Sequence, residues 1–222
     1  MREVVLDTET TGLDPATGDR IVEIGCVELI NHIPTGQTYH QYLNPERDIP
    51  EEAFRIHGLS QAFLLEFPAF VEIVDAFLEF VSDSTLIIHN AAFDMGFVNS
   101  ELTRVAREYL PISRSIDTVQ LARTKFPGAQ ASLDALCRRF EIDNSTRGKH
   151  GALLDAELLA EVYLQLIGGR QPDLKLTSEK KEKIVETRIV SERPSRPHAA
   201  SEAERMANAD LVERLTNPVW KI

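Results

Sequence analysis

Cysteine is scarce in this sequence, and long hydrophobic runs are absent. The 222 residues include two cysteines, Cys26 and Cys137, which lie far apart in patterns typical of buried residues. We therefore predict two reduced core cysteines in a cytoplasmic protein, with a disulfide or a redox pair as the alternative. No apolar run approaches the roughly 18 residues of a membrane span, which argues against a membrane helix and a membrane partner.

Positive charge is also scarce. The chain has 24 Lys and Arg residues against 35 Asp and Glu, a net charge of −11, whereas proteins that coat nucleic acid usually carry a basic surface. Residues 177–222 hold nine basic and eight acidic residues, so residues 1–176 carry a net charge of −12. Most of these charges simply aid solubility. An acidic domain can still bind phosphate where metal ions neutralise its site, and it would then bind one chain end.

Hydrophobic periodicity predicts an α/β fold. Residues 3–8 and 20–30 read as a strand hairpin, and residues 39–43 as a third strand. Two short strands, at residues 85–89 and 115–117, come later in the chain. Helices are predicted at residues 67–81, 90–108, 119–125, 132–140 and 151–167. Three antiparallel strands followed by strand–helix alternation predict a mixed sheet with helices on both faces.

A change of composition after Gly168 and Gly169 predicts the end of the core domain. We expect four regions: a domain at residues 1–170, a short semi-apolar segment at 171–176, a charged linker at 177–200 and a helical tail at 201–222. The linker is either solvated or ordered only on a partner, so the tail is expected to be partly disordered. Ser201 and Glu204 match a capping box. The lone Trp220 suggests docking on a partner, with a disordered end as the alternative.

Four acidic residues lie where strands end or helices begin. Asp7 and Glu9 are spaced i, i+2 at the end of the first strand, so both carboxylates leave the same face. They repel each other unless a cation lies between them, and a hard divalent cation takes oxygen ligands. Asp94 follows the strand at residues 85–89, a junction where open α/β sheets place ligands. Asp155 lies in the first turns of the last helix; alone, such residues are usually N-caps or solvated.

One histidine accompanies these acids. His150 precedes Asp155 by five residues and follows a polar loop, which is not the pattern of a core histidine. Four acids and a histidine at one sheet edge are the parts needed for metal-assisted phosphodiester hydrolysis. Two divalent ions about 3.5–4 Å apart can stabilise the attacking and leaving oxygens. The histidine, which titrates near neutrality, could take the proton of the attacking water.

Three motifs resemble those of the DEDDh family of 3′→5′ exonucleases. They are Asp7-Thr-Glu9-Thr-Thr-Gly, His89-Asn-Ala-Ala-Phe93-Asp94 and His150-Gly-Ala-Leu-Leu-Asp155. The match runs with few gaps from about residue 4 to residue 169. Its connecting segments, such as Ser132-Leu-Asp-Ala-Leu-Cys137, are similar more narrowly to the proofreading subunits of bacterial DNA polymerase III. The resemblance implies a ribonuclease H-like fold and the release of nucleoside monophosphates from single-stranded DNA 3′ ends.

The resemblance also implies roles for matching residues. Asp7, Glu9, Asp94 and Asp155 would hold two divalent ions, Mg²⁺ or Mn²⁺, and His150 would be the general base. Contacts with the terminal nucleotide or the substrate strand are implied for Asp7, Glu9, Thr10, Thr11, Gly12, Glu52, His57, Asn90, Phe93 and Asp155. For His57 the alternative is a turn residue that is hydrogen-bonded to its own loop. Asp117 is interpreted either as structural or as a residue that supports the site residues from behind.

The segments that follow the domain imply protein partners. Gln171, Leu174 and Leu176 match a peptide that binds the sliding clamp (beta), with a plain linker as the alternative. The tail at residues 201–222 would tether the nuclease to the catalytic (alpha) subunit of the polymerase and raise its local concentration. Two alternatives are kept for the whole chain: a stand-alone RNA- or DNA-processing exonuclease, and a non-catalytic scaffold that bridges clamp and polymerase.

Overall fold

The computed structural model describes residues 1–145, 150–169 and 199–216. Contacts divide the chain into one unit over Met1–Leu174 and another over Lys175–Ile222. The predicted boundary at residue 170 stays a prediction, because residues 170–198 lie outside the described part. None of the helices within the described residues has the length and hydrophobicity needed to cross a membrane.

The first unit is built on a five-stranded mixed sheet with strand order β3-β2-β1-β4-β5. Strands β1, β2 and β3 are antiparallel neighbours, while β4 pairs parallel to β1 and β5 parallel to β4. This arrangement confirms the predicted order of three antiparallel strands followed by two parallel ones. The strand bounds are Arg2–Thr10, Ile21–Ile30, Ile33–Tyr42, Thr85–Ile88 and Ser115–Asp117.

Eight α-helices are present in the described residues. They are α1 Glu51–His57, α2 Gln61–Leu64, α3 Phe70–Val81, α4 Ala91–Arg104, α5 Thr118–Lys125, α6 Leu133–Phe140, α7 Ala152–Leu166 and α8 Glu202–Arg214. Helix α8, in the second unit, begins with the predicted capping box: the Ser201 hydroxyl accepts from the Glu204 N–H, and the Glu204 carboxylate accepts from the Ser201 N–H at 2.8 Å. These bonds satisfy backbone donors that the first turn leaves unpaired.

Two hydrophobic cores cover the two faces of the sheet. Because side chains alternate along a strand, Val4 and Leu6 of β1 pack into the core that contains residues of α3 and α4. Val5 packs into the other core, with residues of α5, α6 and α7. Cys26 belongs to the first core and Cys137 to the second, so the sheet separates them and the disulfide alternative is wrong. Burial raises the pKa of the Cys26 thiol, which keeps it protonated.

Two predicted boundaries are wrong by four residues or more. Strand β3 begins at residue 33 rather than 39, because Asn31 and His32 both adopt positive φ and form a tight hairpin turn that lacks the usual glycine. The first six residues of β3 are solvent-exposed, so they give no hydrophobic pattern. Helix α4 ends at residue 104 rather than 108, where Ala106 turns to a left-handed conformation.

Candidate active site

A cleft of about 820 Å³ opens at the carboxyl ends of β1 and β4. It brings together most of the predicted site residues: Asp7, Glu9, Thr10, Thr11, Gly12, Glu52, His57, Phe93, Asp94, His150 and Asp155. Asn90 is not in this lining; its side chain is exposed, and its backbone N–H donates to the Asp117 carboxylate at 3.2 Å. The predicted clamp-binding residues Gln171, Leu174 and Leu176 lie outside the described residues.

The central strand β1 supplies carboxylates to one face of the sheet. Asp7 and Glu9 lie on the same face as Val5, which is the face covered by α7. Asp7 is directly opposite Gly25 of β2, and Glu9 is opposite Glu23. The pairing then shifts register after Glu9, so the ordinary ladder ends where the cleft begins.

Helix α7 brings the third carboxylate and the histidine. Ligand atoms of Glu9, His150 and Asp155 all lie within 4.8 Å of one another. The Nδ1 atom of His150 is 3.4 Å from Oδ2 of Asp155, and the His150 N–H donates to the carbonyl of Ile56 at 3.3 Å. Glu9 and Asp155 are buried, whereas the His150 side chain is half-exposed. The ring is therefore held beside the carboxylates while it can exchange protons with solvent.

Helix α4 brings Asp94 from the other face. Its Oδ1 accepts hydrogen bonds from both the backbone N–H of Thr8 at 3.1 Å and the Thr8 hydroxyl at 2.7 Å. Burial raises the pKa of the Asp94 carboxyl to about 7, against the opposing effect of the Thr8 hydrogen bonds, and the negative charge of Asp117 adds to the increase. A nearby cation would favour the ionised form.

The charge of the cleft indicates what it can hold. Among the described residues, its lining includes no Lys or Arg. It includes eight acidic side chains, which are those of Asp7, Glu9, Asp14, Asp19, Glu52, Asp94, Asp134 and Asp155. Three of them, Glu9, Asp94 and Asp155, are buried, and buried carboxylates are unfavourable as anions unless a cation compensates them. Oxygen ligands without sulfur suit hard divalent cations such as Mg²⁺ or Mn²⁺. The residues present therefore fit such ions.

The loop after β1 uses its side chains to hold its own shape. The Thr10 hydroxyl donates to the carbonyl of Gly12 at 2.6 Å. The Thr11 hydroxyl donates to Asp19 at 3.2 Å and accepts from the Arg20 N–H at 3.0 Å. A Cβ at Gly12 would lie 2.2 Å from the Asp19 carboxylate, so a larger residue there would have to displace the Asp19 side chain. These hydroxyls are engaged inside the loop, and their contact with a nucleotide stays a prediction.

Helix α1 forms the opposite wall with Glu52, Ile56 and His57. The Nδ1 atom of His57 accepts a hydrogen bond from the Leu59 N–H at 3.0 Å. His57 is therefore hydrogen-bonded to its own loop, as the alternative in the sequence analysis expected, and it also lines the cleft.

Several lining residues have no role in the sequence analysis. His89, in the second motif, lines the cleft with its Nδ1 atom 2.9 Å from the Thr118 hydroxyl. Leu13 also lines the cleft and is 82% exposed. A single leucine in a loop gives no signal in the sequence, because isolated apolar residues are common on protein surfaces. Thr8 gives none either, because its link to Asp94 spans 86 positions.

Comparisons with known proteins agree with this geometry. A family model described as Exonuclease (RNase_T) matches residues 4–163. The chain is 56% identical over 190 residues to the DNA polymerase III subunit epsilon of Rickettsia felis, covering 84% of this chain and 81% of that protein. It is 48% identical over 177 residues to the protein of the same name from Escherichia coli K12, covering 76% and 72%.

A solved structure is also similar: the nuclease domain of 3′hExo, a DEDDh family member bound to rAMP. It has a TM-score of 0.65 and 18% identity, and the alignment covers 75% of this chain and 91% of that domain. At this identity the likeness concerns the fold alone. It confirms the predicted ribonuclease H-like mixed sheet flanked by helices.

Proposed function

We propose that this chain, which belongs to the RNase_T exonuclease family, is the proofreading 3′→5′ exonuclease subunit of a bacterial DNA polymerase III. Membership of this family confirms the resemblance seen in the three motifs. The observation that carries the proposal is the acidic cleft in which Glu9, His150 and Asp155 lie within 4.8 Å of one another. The relatives named DNA polymerase III subunit epsilon supply the biological setting, and such a subunit acts in the cytoplasm.

Four carboxylates would hold two divalent ions, Mg²⁺ or Mn²⁺: those of Asp7, Glu9, Asp94 and Asp155. When bound, such ions stabilise charge on the attacking and leaving oxygens of the scissile phosphodiester. Asp94 meets the site from the α4 face, where Thr8 fixes one of its oxygens. The remaining carboxylates approach from β1 and α7, so the central strand and two helices would together supply the ligands.

His150 would act as the general base. Its Nδ1 atom lies 3.4 Å from Oδ2 of Asp155, and the imidazole beside these carboxylates would take a proton from the attacking water. The water oxygen forms the new bond to phosphorus as the bond to the 3′ oxygen of the preceding nucleotide breaks. That oxygen takes up a proton, so the products are a nucleoside 5′-monophosphate and a strand shortened by one nucleotide. The half-exposed ring can then pass its proton to solvent.

The two walls of the cleft suit a single-stranded end. Thr10, Thr11 and Gly12 stand on one side, and Glu52 and His57 on the other, with Phe93 at the base of α4. A mismatched 3′ terminus reaches such a cleft more readily than a paired one, because separating it from its template costs less free energy. This difference supports the removal of mismatched nucleotides.

The regions after the nuclease domain would bind the replication machinery. Residues Gln171, Leu174 and Leu176 would bind the sliding clamp, and residues 201–222 the catalytic subunit, with residues 177–200 as the linker. Helix α8 supports this proposal, because none of its residues is buried in the described tail and Met206, at 70% exposed, and Leu211, at 57%, offer apolar contacts.

Point variants test the catalytic proposal. Asp155→Asn and His150→Gln should each slow the degradation of a single-stranded DNA 3′ end by about 10²–10⁴-fold in Mg²⁺ or Mn²⁺. Asp83→Asn, an exposed acid outside the cleft, should keep the full rate. Near-normal rates in both site variants would refute the mechanism, and a wild type without activity would favour the scaffold. A clear preference for RNA over DNA would favour the stand-alone processing enzyme.

A further inference from the structure

Gly25 lies on β2 directly opposite Asp7 of β1. A Cβ atom built on Gly25 would lie 2.2 Å from both the carbonyl carbon of Ala152 and the amide nitrogen of Leu153. These are backbone atoms at the start of α7, so rotation of a side chain cannot relieve the overlap. The missing side chain of Gly25 therefore lets α7 begin in direct contact with the sheet.

This close approach lies at the active site. Directly opposite residues on antiparallel strands project to the same face, so the space that Gly25 leaves is beside Asp7, and the start of α7 fills it. The same helix start carries the other parts of the site. His150 comes two residues before Ala152, and Asp155 comes three residues after it, with its N–H bonded to the Gly151 carbonyl at 2.9 Å.

We infer that Gly25 is a positioning residue for the nuclease reaction. Its lack of a side chain sets how deeply α7 lies on the sheet, and thereby holds Asp155 and His150 within reach of the carboxylates of β1. This inference rests on the proposed function, because it assumes that these carboxylates share divalent ions.

The overlap between an added Cβ at Gly25 and the backbone of α7 determines how far the helix must move and how much activity is lost. Ordinary van der Waals contact begins at 3.4 Å, whereas the added Cβ would lie 2.2 Å from the helix backbone. The helix start would have to move by about 1 Å. Metal–oxygen distances in such sites are confined to roughly 2.0–2.6 Å, and a misplacement of about 1 Å can cost about 10²-fold in rate.

The test is Gly25→Ala in the full chain. Mn²⁺ binding is titrated by electron paramagnetic resonance, without substrate, and the rate is measured on a single-stranded oligonucleotide. We expect Mn²⁺ binding at least about tenfold weaker and kcat about 10²-fold lower. KM for DNA should change less than kcat, because no residue in the walls formed by α1 and the loop after β1 is replaced.

Two control variants separate positioning from general destabilisation. Val27→Ala removes buried volume on the same strand and the same face as Gly25; it should lower the melting temperature but keep Mn²⁺ affinity within about twofold. Gly96→Ala adds a methyl group where nothing lies within 4 Å, and it should keep both affinity and rate.

Three results would count against the inference. It is overturned if Gly25→Ala binds Mn²⁺ as tightly as the wild type, or if Val27→Ala loses affinity to the same degree. If Gly25→Ala does not fold, Ala152→Ser takes its place, because it adds one atom to a fully buried side chain at the start of α7; unchanged Mn²⁺ affinity in that variant overturns the inference. A wild type that binds no Mn²⁺ would instead refute the proposed metal site itself.

Discussion

Thr8 lies between two predicted metal ligands, Asp7 and Glu9, yet its side chain is hydrogen-bonded to a third, Asp94. Since side chains alternate along β1, Thr8 projects to the face opposite that of Asp7 and Glu9. There its N–H and its hydroxyl both donate to one oxygen of Asp94. Partners that hydrogen-bond to a ligand fix its orientation. The strand thus supplies two carboxylates directly and orients another by way of the residue between them.

Replacing Thr8 with valine should weaken the site while it preserves the shape of the side chain. The variant loses a hydrogen bond to an ionisable group, worth about 1.5–3 kcal/mol, and we expect at least a tenfold lower exonuclease rate. Thr8→Ser keeps the hydroxyl and should keep most of the activity. Rates on a single-stranded oligonucleotide compare the variants, and equal activity of Thr8→Val and the wild type would contradict this role.

The pKa of Asp94 predicts how stability depends on pH in the metal-free protein. Burial raises this pKa to about 7 in the folded state, from an ordinary value of 3.8. Between about pH 4 and pH 7 the folded state therefore binds more protons than the unfolded state, so the contribution of Asp94 to stability falls as pH rises through this window.

Thermal unfolding in EDTA measures this effect. Asp94→Asn should lose less stability than the wild type between about pH 4 and pH 7, because the amide does not titrate. Mg²⁺ or Mn²⁺ at pH 7 should raise the melting temperature of the wild type by binding only the folded state. Parallel pH profiles for the two proteins would mean that Asp94 titrates normally.

At the scale of elements, the loop between β1 and β2 is attached to α4 by a buried ion pair. Arg20, just before β2, donates from Nε and Nη2 to the two carboxylate oxygens of Glu101 at 2.6 and 2.9 Å. The side chain of Glu101 is 3% exposed. Bidentate geometry of this kind fixes both partners. The pair therefore links the loop that borders the cleft to the helix that carries Asp94.

Glu101→Gln should be strongly destabilising. It removes one of the two charge-assisted hydrogen bonds and leaves Arg20 with only the longer ion pair to Glu46 at 3.5 Å, so we expect the free energy of unfolding to fall by about 1.5–3 kcal/mol. The matched control is Asp210→Asn, which removes the exposed pair between Asp210 and Arg214 on α8 and should cost less than about 1 kcal/mol. Urea unfolding compares the two, and a similar small loss in both variants would contradict the role of the buried pair.

The elements also explain what the sequence could and could not predict. The shared face of Asp7 and Glu9 was predictable because the two-residue period of a strand is local. The place of Asp94 at the cleft was predictable because its position after β4 follows from a rule of sheet topology. The need for glycine at position 25 was not predictable, because it comes from close contact with the backbone of a helix more than 120 positions later. The start of β3 was missed since an exposed edge strand shows no alternation.

At the scale of the molecule, sheet order explains why distant acids meet. Strand β1 is the central strand, so a helix on each face can reach its carboxyl end. Helix α7 brings Asp155 to one face and α4 brings Asp94 to the other, while β1 supplies Asp7 and Glu9 between them. The site thus depends on the sheet and on helices from both of its faces.

The position of the cleft leads to the prediction for the tail. Deleting residues 177–222 should leave the rate on a single-stranded DNA end within about twofold of the full chain, because all the described residues that line the cleft precede residue 156. The same deletion should abolish co-purification with the polymerase catalytic subunit, since the exposed apolar side chains of α8 are removed. A tether acts through local concentration, so mismatch removal by the assembled polymerase should fall while the isolated nuclease stays active. Tight binding without the tail would place the contact on the nuclease domain instead.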